Sequence, residues 1–249
     1  MELKTPDEIA RIGEACRVVA DVLGEVARAA QAGVATAELD RLAEARTLER
    51  GAVPAFKGYL GYPASVCVSV NEEVVHGIPG PRVLRDGDIV GLDFGVSLGG
   101  FFGDAAVTVE VGRVEPRARR LVAATRDALA RALAEVRPGA RLGDIGAAVQ
   151  AHVEPLGFSV VREFVGHGIG RRLHEPPQVP NFGKRGTGGR IRAGLVLAIE
   201  PMVNAGGPDV RTLEDGWTAV TSDGALSAHF EHTVAVTEEG PLVLTLPAG

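Results

Sequence analysis

An approximate internal repeat is the feature that most constrains the fold of this chain. Each copy runs through two helix-like segments and then through strand-like segments. Gly33 matches Gly139 at an offset of 106 residues, and "GDIVGLD" matches "GLVLAIE" at an offset of 107, with one carboxylate ending each copy. A unit of this length is too long for a solenoid, so the pattern predicts one domain, residues 1–249, built from two similar halves at about 5–110 and 116–240.

The helices have recognisable boundary signals. Thr5 and Glu8 predict a capping box with Pro6 at the first helical position, and apolar residues then recur at three- and four-residue steps. A second helix is predicted from Thr36 to a stop at Gly51. The apolar positions of that second helix are Leu39, Leu42 and Leu48. The predicted helices of the second half cover about residues 116–137 and 142–156.

Two carboxylates, Asp93 and Asp104, interrupt a stretch that otherwise reads as a buried hairpin, "GLDFGVSLGGFFGDAAVTV". A turn at Leu98 and Gly99 places them directly opposite each other, whereas a turn at Gly99 and Gly100 makes them diagonal neighbours. Like charges this close repel each other unless a cation or a proton lies between them. Because the flanking residues are apolar, the stretch predicts a metal-binding hairpin rather than a solvated pair.

The second half is predicted to supply a matching pair on a second hairpin. Glu200 ends the apolar run "GLVLAIE", and Glu231 interrupts "SAHFEHTVAVT". If a pseudo-two-fold axis relates the halves, Asp93 and Glu200 approach each other near that axis. His167 lies between the hairpins in the glycine-rich loop "VGHGIGRRLHEPP", where close approach of the backbone is possible.

These residues together predict a site for two metal ions. Four carboxylates and one neutral imidazole carry a charge of −4, which two divalent ions balance. Oxygen-rich ligands with one imidazole and no sulfur suit Co, Mn, Fe or Zn. Two such ions can hold a bridging hydroxide near neutral pH and polarise a carbonyl, which is the chemistry of amide hydrolysis. The predicted ligands are Asp93, Asp104, His167, Glu200 and Glu231.

The composition argues against several other classes of protein. A net charge of −6 disfavours a general binder of DNA or another polyanion. Cys16 and Cys67 are too few for a disulfide framework or a cysteine-based zinc site. No apolar run is long enough to span a membrane, and the charged N-terminal segment does not read as a signal peptide. We therefore expect a cytoplasmic protein, and a monomer is the default for this size.

At these residues the sequence resembles the type I methionine aminopeptidases, over essentially the whole chain. The motifs that carry the resemblance are "GYPASVCVSVNEEVVHGIP", "DGDIVGLDFGV", "GGFFGDAAVTV", "GHGIGRRLHEPPQVPN", "GLVLAIEPMV" and "DGWTAVTSDGALSAHFEHTVAVT". The resemblance implies an α+β pita-bread (creatinase/aminopeptidase) fold, with two helix-helix-strand halves around a central antiparallel sheet. It also implies a two-metal centre with the five ligands above, which removes the initiator methionine from nascent proteins when the second residue is small.

The same resemblance implies further roles. His76 and His174 would flank the metals and hydrogen-bond the substrate amide and the tetrahedral intermediate. Glu200 would also act as the general base that takes a proton from the bridging water and passes it to the leaving amine. The methionine side chain would bind in an apolar pocket formed by Tyr59, Tyr62, Cys67 and Trp217. For both tyrosines, anchoring a turn is an equally good interpretation.

Three positions depart from the family pattern. Phe56 replaces the usual cysteine of the pocket, and Leu173 replaces the phenylalanine before the second histidine. The resemblance therefore does not determine the shape of the pocket. His229 replaces a glutamine two residues before Glu231. On a strand the two would share a face, where His229 could orient a metal ligand or hydrogen-bond a neighbouring carboxylate, while direct ligation is disfavoured.

Four alternatives share parts of the pattern. Prolidases and aminopeptidase P have the same fold and ligands but usually carry a sizeable N-terminal domain, whereas the first ligand here is already Asp93. A type II methionine aminopeptidase needs a long insertion between Glu200 and Glu231, for which there is no room. An inactive binding module of this fold should lack ligands. A retaining glycosidase needs two carboxylates rather than four with a histidine.

One loop, "NFGKRGTGGRIR", is basic although the protein as a whole is acidic. It is interpreted either as a solvated loop or as a contact with the ribosome, which would suit an enzyme that acts on nascent chains. Its basic residues are Lys184, Arg185, Arg190 and Arg192.

Overall fold

The computed structural model describes residues 1–246. Its helices are α1 (Pro6–Ala29), α2 (Thr36–Glu49), α3 (Pro116–Ala134) and α4 (Leu142–Val153), with 3-10 turns at Tyr59–Gly61 and Glu154–Leu156. The strands of the first half are β1 (Val53–Pro54), β2 (Cys67–Val70), β3 (Glu73–Val75), β4 (Ile89–Leu98) and β5 (Phe101–Glu110). Those of the second half are β6 (Ser159–Val160), β7 (Gly166–Gly168), β8 (Glu175–Val179), β9 (Val196–Ile199), β10 (Met202–Asn204), β11 (Val210–Thr212), β12 (Ala219–Thr221), β13 (Ser227–His229), β14 (Glu231–Thr237) and β15 (Gly240–Val243).

The helices begin where the sequence predicts, but two of them end earlier. The capping box of α1 is confirmed, because Glu8 N donates to Thr5 Oγ1 at 3.3 Å and Thr5 N donates to Glu8 Oε2 at 2.8 Å. α3 ends at Ala134 rather than near residue 137, since Pro138 disfavours helical backbone in the residue before it. α4 ends at Val153, and only a 3-10 turn follows it.

The apolar residues of α2 do not all lie on its buried face. The buried face of α2 follows four-residue steps through Leu39, Ala43 and Thr47, and Thr47 Oγ1 donates to Ala43 O at 2.6 Å. Leu48 is the next residue around the helix and is therefore 57% exposed.

A nine-stranded antiparallel sheet forms the centre of the molecule. Its main path runs β1-β4-β5-β14-β9-β7-β8, with β2 beside β4 and β15 beside β14. The remaining strands form two small sheets, β13-β10-β6 and β11-β12-β3. α1 and α2 share an apolar core with first-half strands, and α3 and α4 share another mainly with second-half strands. β5 pairs with β14, so the two halves meet at the middle of the sheet.

Backbone hydrogen bonds recur in the two halves at the offsets of the sequence repeat. Gly33 N donates to Leu84 O at 2.9 Å, and Gly139 N donates to Ile191 O at 3.0 Å. Both glycines have positive φ, 93° and 89°, which favours glycine at the matching turn after each first helix. The repeat therefore reflects shared backbone geometry and not only similar helix-strand order.

The register of the first-half hairpin differs from the first of the two expectations. The turn lies at Gly99 and Gly100, whose φ values of 57° and 82° are the positive pair that a type I′ turn requires. Asp93 therefore faces Ala106, and Asp104 is its diagonal neighbour rather than its direct partner. The expectation of direct opposition is wrong.

The prediction that Glu200 and Glu231 share a second hairpin is also wrong. Glu200 follows β9 and Glu231 begins β14, and these strands pair in antiparallel fashion. However, β10 to β13 lie between them along the chain. The strands are neighbours because of sheet topology, which the local pattern of either strand does not reveal.

Candidate metal centre and active site

The side chains with metal-binding chemistry reach one cavity from adjacent strands. Their places are Asp93 on β4, Asp104 on β5, His167 on β7, Glu200 directly after β9 and Glu231 at the start of β14. Because β4, β5, β14 and β9 are successive neighbours in the sheet, the four carboxylates converge near the line where the halves meet. All five residues line the same cavity.

The donor atoms lie close together. Those of Asp104, His167 and Glu231 are all within 4.8 Å of one another. Glu200 Oε1 is 3.5 Å from His167 Nε2. Such separations suit donors that gather around divalent ions with bonds of about 2.1 Å.

The carboxylates are buried without neutralising partners from the protein. Asp93 Oδ1, Asp104 Oδ1 and Glu231 Oε1 have no hydrogen-bond partner within residues 1–246. Burial raises the pKa of Asp93 to about 7. Burial and neighbouring carboxylates raise the pKa values of Asp104, Glu200 and Glu231 well above their ordinary range. No Lys or Arg from the described part of the chain lines the cavity, so the set fits divalent cations.

Two glycines allow His167 to occupy its place. A Cβ on Gly166 would lie 2.4 Å from Ala198 O, and a Cβ on Gly168 would lie 2.5 Å from Pro176 O, so both positions require glycine. His167 Nδ1 is 2.9 Å from Gly168 O, an arrangement that leaves Nε2 available to a metal. Burial lowers the pKa of His167 to about 3, which keeps the ring neutral.

Two further histidines line the cavity, one from each half. His174 Nδ1 is 2.8 Å from Tyr59 Oη, and its ring centroid is 4.3 Å from that of His167. Burial lowers the pKa of His174. His76 adopts a positive φ of 60° and meets Phe164 edge-on at 5.3 Å. Burial, followed by the nearby His174, lowers the pKa of His76 to about 4, so both rings are neutral near pH 7.

The remainder of the cavity wall is aromatic and apolar. Tyr62 packs edge-on against Trp217, with ring centroids 5.1 Å apart, and its Oη donates to Gly77 O at 2.9 Å. Tyr62 therefore both lines the cavity and anchors the segment that follows β3. Burial, then the charge of Asp93, raises the pKa of the Cys67 thiol, which stays protonated. The residues of this wall are Phe56, Tyr59, Leu60, Tyr62, Cys67, Leu173 and Trp217.

Sequence reasoning missed two features of the cavity. Leu60 lines it although it is 81% exposed, and its φ of 49° is unusual for a branched residue. A Cβ on Gly95 would lie 2.8 Å from Phe56 Cε1 and 3.2 Å from Asp104 Oδ1, so this glycine makes room for both. The only signal in the sequence was a glycine inside a strand, which often marks close approach of another group.

Comparison with known proteins places the chain in a family. It matches the model of metallopeptidase family M24 over residues 10–238. Methionine aminopeptidase 1 of Bacillus subtilis (strain 168) is 51% identical over 242 residues, which cover 97% of this chain and 98% of the relative. A solved methionine aminopeptidase of Thermotoga maritima superposes with a TM-score of 0.97 at 48% identity, covering 98% of this chain and 99% of that chain. The chain belongs to the methionine aminopeptidases of metallopeptidase family M24.

The fold of this chain also occurs in a more distantly similar peptidase structure. A prolidase of Pyrococcus horikoshii OT3 superposes with a TM-score of 0.80 at 20% identity, covering 99% of this chain and 64% of that chain, a likeness of fold alone. The predicted pita-bread fold and the predicted metal-dependent peptidase are confirmed.

The departures from the methionine aminopeptidase pattern have different surroundings. Phe56 and Leu173 both line the cavity and are buried. His229 does not line it, and its Nε2 has no hydrogen-bond partner among residues 1–246, so the expected bond from this nitrogen to a neighbouring carboxylate is not made. The backbone of His229 is instead held by Thr108, whose Oγ1 donates to His229 O at 2.8 Å.

The basic loop lies at the surface of the M24 chain. All four of its basic residues are exposed, and Arg185 Nη2 is 2.9 Å from Glu135 Oε1. Within residues 1–246, no helix combines the length with the apolar character that crossing a membrane requires.

Proposed function

We propose that this chain removes the initiator methionine from nascent polypeptides whose second residue is small, and that residues 1–249 act as one catalytic domain. The observation that carries the proposal is a single cavity lined both by four carboxylates with an imidazole and by an aromatic, apolar wall. The first feature suits peptide hydrolysis, and the second suits a thioether side chain. Relatives named methionine aminopeptidase share about half of their residues with this chain.

The proposed cofactor is a pair of divalent ions, drawn from Co, Mn, Fe and Zn. Two such ions would match the charge of the four carboxylates and relieve the repulsion that raises their pKa values. Bound ions of this kind polarise a carbonyl and lower the pKa of water. The proposed ligands are Asp93, Asp104, His167, Glu200 and Glu231.

Glu200 is the proposed general base. Burial raises its pKa above the ordinary range, so its carboxylate can take a proton from the attacking water and return it to the leaving amine. Asn181 Nδ2 donates to Glu200 O at 2.9 Å, which fixes the backbone where this side chain emerges.

His76 and His174 are the proposed hydrogen-bond donors to the substrate. If Tyr59 Oη donates to His174 Nδ1, the ring hydrogen lies on Nε2, which can then donate to the carbonyl oxygen of the scissile bond. Both rings are neutral near pH 7, because burial lowers their pKa values. A neutral ring donates a hydrogen bond without adding charge beside the cations.

The apolar wall is proposed to bind the methionine side chain. Tyr59, Tyr62, Cys67 and Trp217 supply aromatic and soft sulfur contacts. Phe56 and Leu173 fill the positions that vary from the family pattern, and their bulk decides how deep the side chain enters.

The test measures methionine release from Met-Ala-Ser after chelation, with Co, Mn, Fe or Zn added back singly. We expect release with at least one ion, none after chelation, and little from Met-Glu-Ser, whose second residue is large. Leu-Pro serves as the control for a proline peptidase. Cleavage of Leu-Pro without Met-Ala-Ser would favour a prolidase, and no release from Met-Ala-Ser with any ion would contradict the proposal.

We also propose that the enzyme works as a cytoplasmic monomer and contacts the ribosome through its basic loop. The four exposed cations of this loop suit a phosphate-rich surface. The test is co-sedimentation with ribosomes of a variant in which Lys184, Arg185, Arg190 and Arg192 are neutralised. We expect weaker binding at low salt, and unchanged binding would contradict the contact.

A further inference from the structure

A buried ion pair lies outside the metal centre, beside the turn that carries His174. Lys4 Nζ is 2.7 Å from Glu175 Oε2, and the two side chains are 1% and 3% exposed. Lys4 Nζ also lies 3.2 Å from the exposed Glu2. Because the desolvation of two charges offsets much of their attraction, a buried pair is a poor device for stability alone. Its position indicates another role.

Glu175 closes the turn that holds His174. Its Oε1 accepts hydrogen bonds from the backbone N–H groups of Arg171 and Arg172, at 2.8 and 3.0 Å. Its Oε2 receives Lys4. One carboxylate therefore ties both ends of a five-residue segment together, and His174 is the residue directly before it.

Lys4 is itself held rigidly. Its backbone N donates to Gly194 O at 2.7 Å, at the start of the segment leading into β9. A Cβ on Gly170 would lie 2.5 Å from Lys4 Cε, so the lysine stem packs directly on this glycine. Gly170 O accepts from Phe102 N at 2.8 Å, which connects the same point to β5, the strand of Asp104.

We propose that Lys4 is a positioning residue for His174. Its ammonium neutralises Glu175, Glu175 closes the turn over 171–175, and the turn sets the His174 imidazole against Tyr59 and the substrate. This inference rests on the proposed function, in which His174 donates to the substrate. Without Lys4, a carboxylate is buried with no counter-ion and must protonate or turn towards water, and either change weakens its hold on the turn.

The test compares Lys4→Met with Glu8→Gln. Met keeps an unbranched stem and removes the charge. Glu8→Gln is the matched control, because it breaks the exposed pair between Glu8 Oε1 and Arg171 Nε (2.9 Å) on the same turn and can still complete a capping box. We expect Lys4→Met to lower kcat on Met-Ala-Ser about 10- to 100-fold, with bound metal unchanged, and Glu8→Gln to stay within about twofold.

A double-mutant cycle separates positioning from a merely structural role. If Lys4 acts through His174, Lys4→Met combined with His174→Ala is no slower than His174→Ala alone. The inference would be overturned if the losses in kcat of the two single variants multiplied in the double variant. It would also be overturned if Lys4→Met were folded, fully loaded with metal and as fast as the wild type. If Lys4→Met does not fold, Lys4→Gln is judged by the same criteria. An unchanged kcat in His174→Ala would instead refute the role of His174 in the proposed function.

Discussion

The two halves of the molecule hold their carboxylates on the same framework but by different connections. The first half supplies Asp93 and Asp104 from one hairpin, closed by a two-residue turn. The second half supplies Glu200 and Glu231 from neighbouring strands that are joined only through β10 to β13. The hydrogen bond from Gly33 N to Leu84 O nevertheless has a counterpart in the one from Gly139 N to Ile191 O, at the offset of the sequence repeat. The carboxylates proposed as metal ligands therefore follow the repeated framework and not the connections.

The connections that differ carry the contacts proposed for the substrate. The segment between β11 and β12 brings Trp217 to the cavity, and the segment between β7 and β8 brings His174. The connection between α2 and β4 supplies Tyr59, Tyr62, Cys67 and His76. Substitutions in the strands that carry the carboxylates should therefore weaken metal binding to the same extent in either half. Substitutions in the connections should slow the reaction of the substrate while the metals stay bound.

The largest effect is expected from replacing one carboxylate in each half. Asp93→Asn and Glu200→Gln should both lose bound metal, and methionine release should fall by about 10²- to 10⁴-fold, with the greater loss for Glu200→Gln because it also removes the base. Neither change should lower the melting temperature of the metal-free protein, since a neutral amide replaces a buried carboxylate surrounded by others. Metal per chain, kcat and thermal unfolding are the measurements.

A control for this pair lies on the same hairpin, away from the cavity. Glu110 pairs with Arg119 at 3.2 Å on the surface, so Glu110→Gln should keep both metal and rate. An Asp93→Asn protein that is fully active with its full complement of metal would contradict the assignment of this carboxylate.

In the metal-free protein, the contribution of the buried carboxylates to stability should fall as the pH rises. The pKa of Asp93 is about 7 in the folded protein against about 3.9 in an unfolded chain, so the folded state binds more protons between these values. The contribution of Asp93 to the stability of the metal-free protein is then fully present below about pH 4 and is lost as the pH rises through about 7, and the other three carboxylates shift in the same direction. The buried histidines, whose pKa values are lowered, shift stability the opposite way below about pH 6.5, so the carboxylate contribution has to be measured as a difference.

The measurement is the melting temperature of chelated wild type minus that of chelated Asp93→Asn between about pH 5 and pH 8, a difference in which the histidine contributions cancel. Wild type loaded with a divalent ion is measured beside them. The melting temperature of the metal-loaded protein should rise relative to that of the metal-free protein as the pH rises, because the ligands bind metal only when deprotonated. A difference between wild type and Asp93→Asn that stays level or rises across this range would argue against a buried Asp93 carboxyl with a raised pKa.

Features that depend on neighbours in sequence were predictable. The capping box of Thr5 and Glu8 needs residues three apart, and glycine at positive φ explains the match between Gly33 and Gly139. Asp93 also stood out, because a carboxylate in an apolar strand must be neutralised by something. These inferences needed only local propensity and the cost of burying charge.

Features that depend on distant contacts were not predictable. Nothing near Glu200 or Glu231 indicates that a long connection separates their strands, and so a hairpin was expected. The register of the first hairpin, by contrast, was open to prediction from local residues, because a type I′ turn favours Gly99 and Gly100 over Leu98 and Gly99. The pairing of Lys4 with Glu175 joins segments 171 residues apart, without any periodic signal.

A smaller effect is expected where a hydrogen bond connects the halves. Tyr59 Oη is 2.8 Å from Nδ1 of His174, whereas Tyr62 Oη bonds to Gly77 O within the first half. Tyr59→Phe should lower kcat about five- to tenfold with KM little changed, since one hydrogen bond contributes about 1 kcal/mol. Tyr62→Phe removes one hydrogen bond to Gly77 O, to which Val68 N still donates at 2.9 Å, and should lower the melting temperature more than kcat. Equal kcat in Tyr59→Phe and the wild type would show that Tyr59 does not orient His174.

The smallest effect tests the framework itself, through Gly33→Ala and Gly139→Ala. Their φ values are 93° and 89°, and a Cβ on either would meet no atom within 4 Å, so only the backbone conformation is penalised, by about 1 kcal/mol. Because the two turns have the same hydrogen bonds, the losses in unfolding free energy should be equal and additive, with metal content and kcat unchanged. Gly24→Ala, inside α1, should instead raise stability slightly, since its Cβ would meet only the flexible end of Arg28 at 3.5 Å. Denaturant unfolding gives the unfolding free energy of all three variants. A loss in only one of Gly33→Ala and Gly139→Ala would mean that the two turns have the same hydrogen bonds but contribute differently to stability.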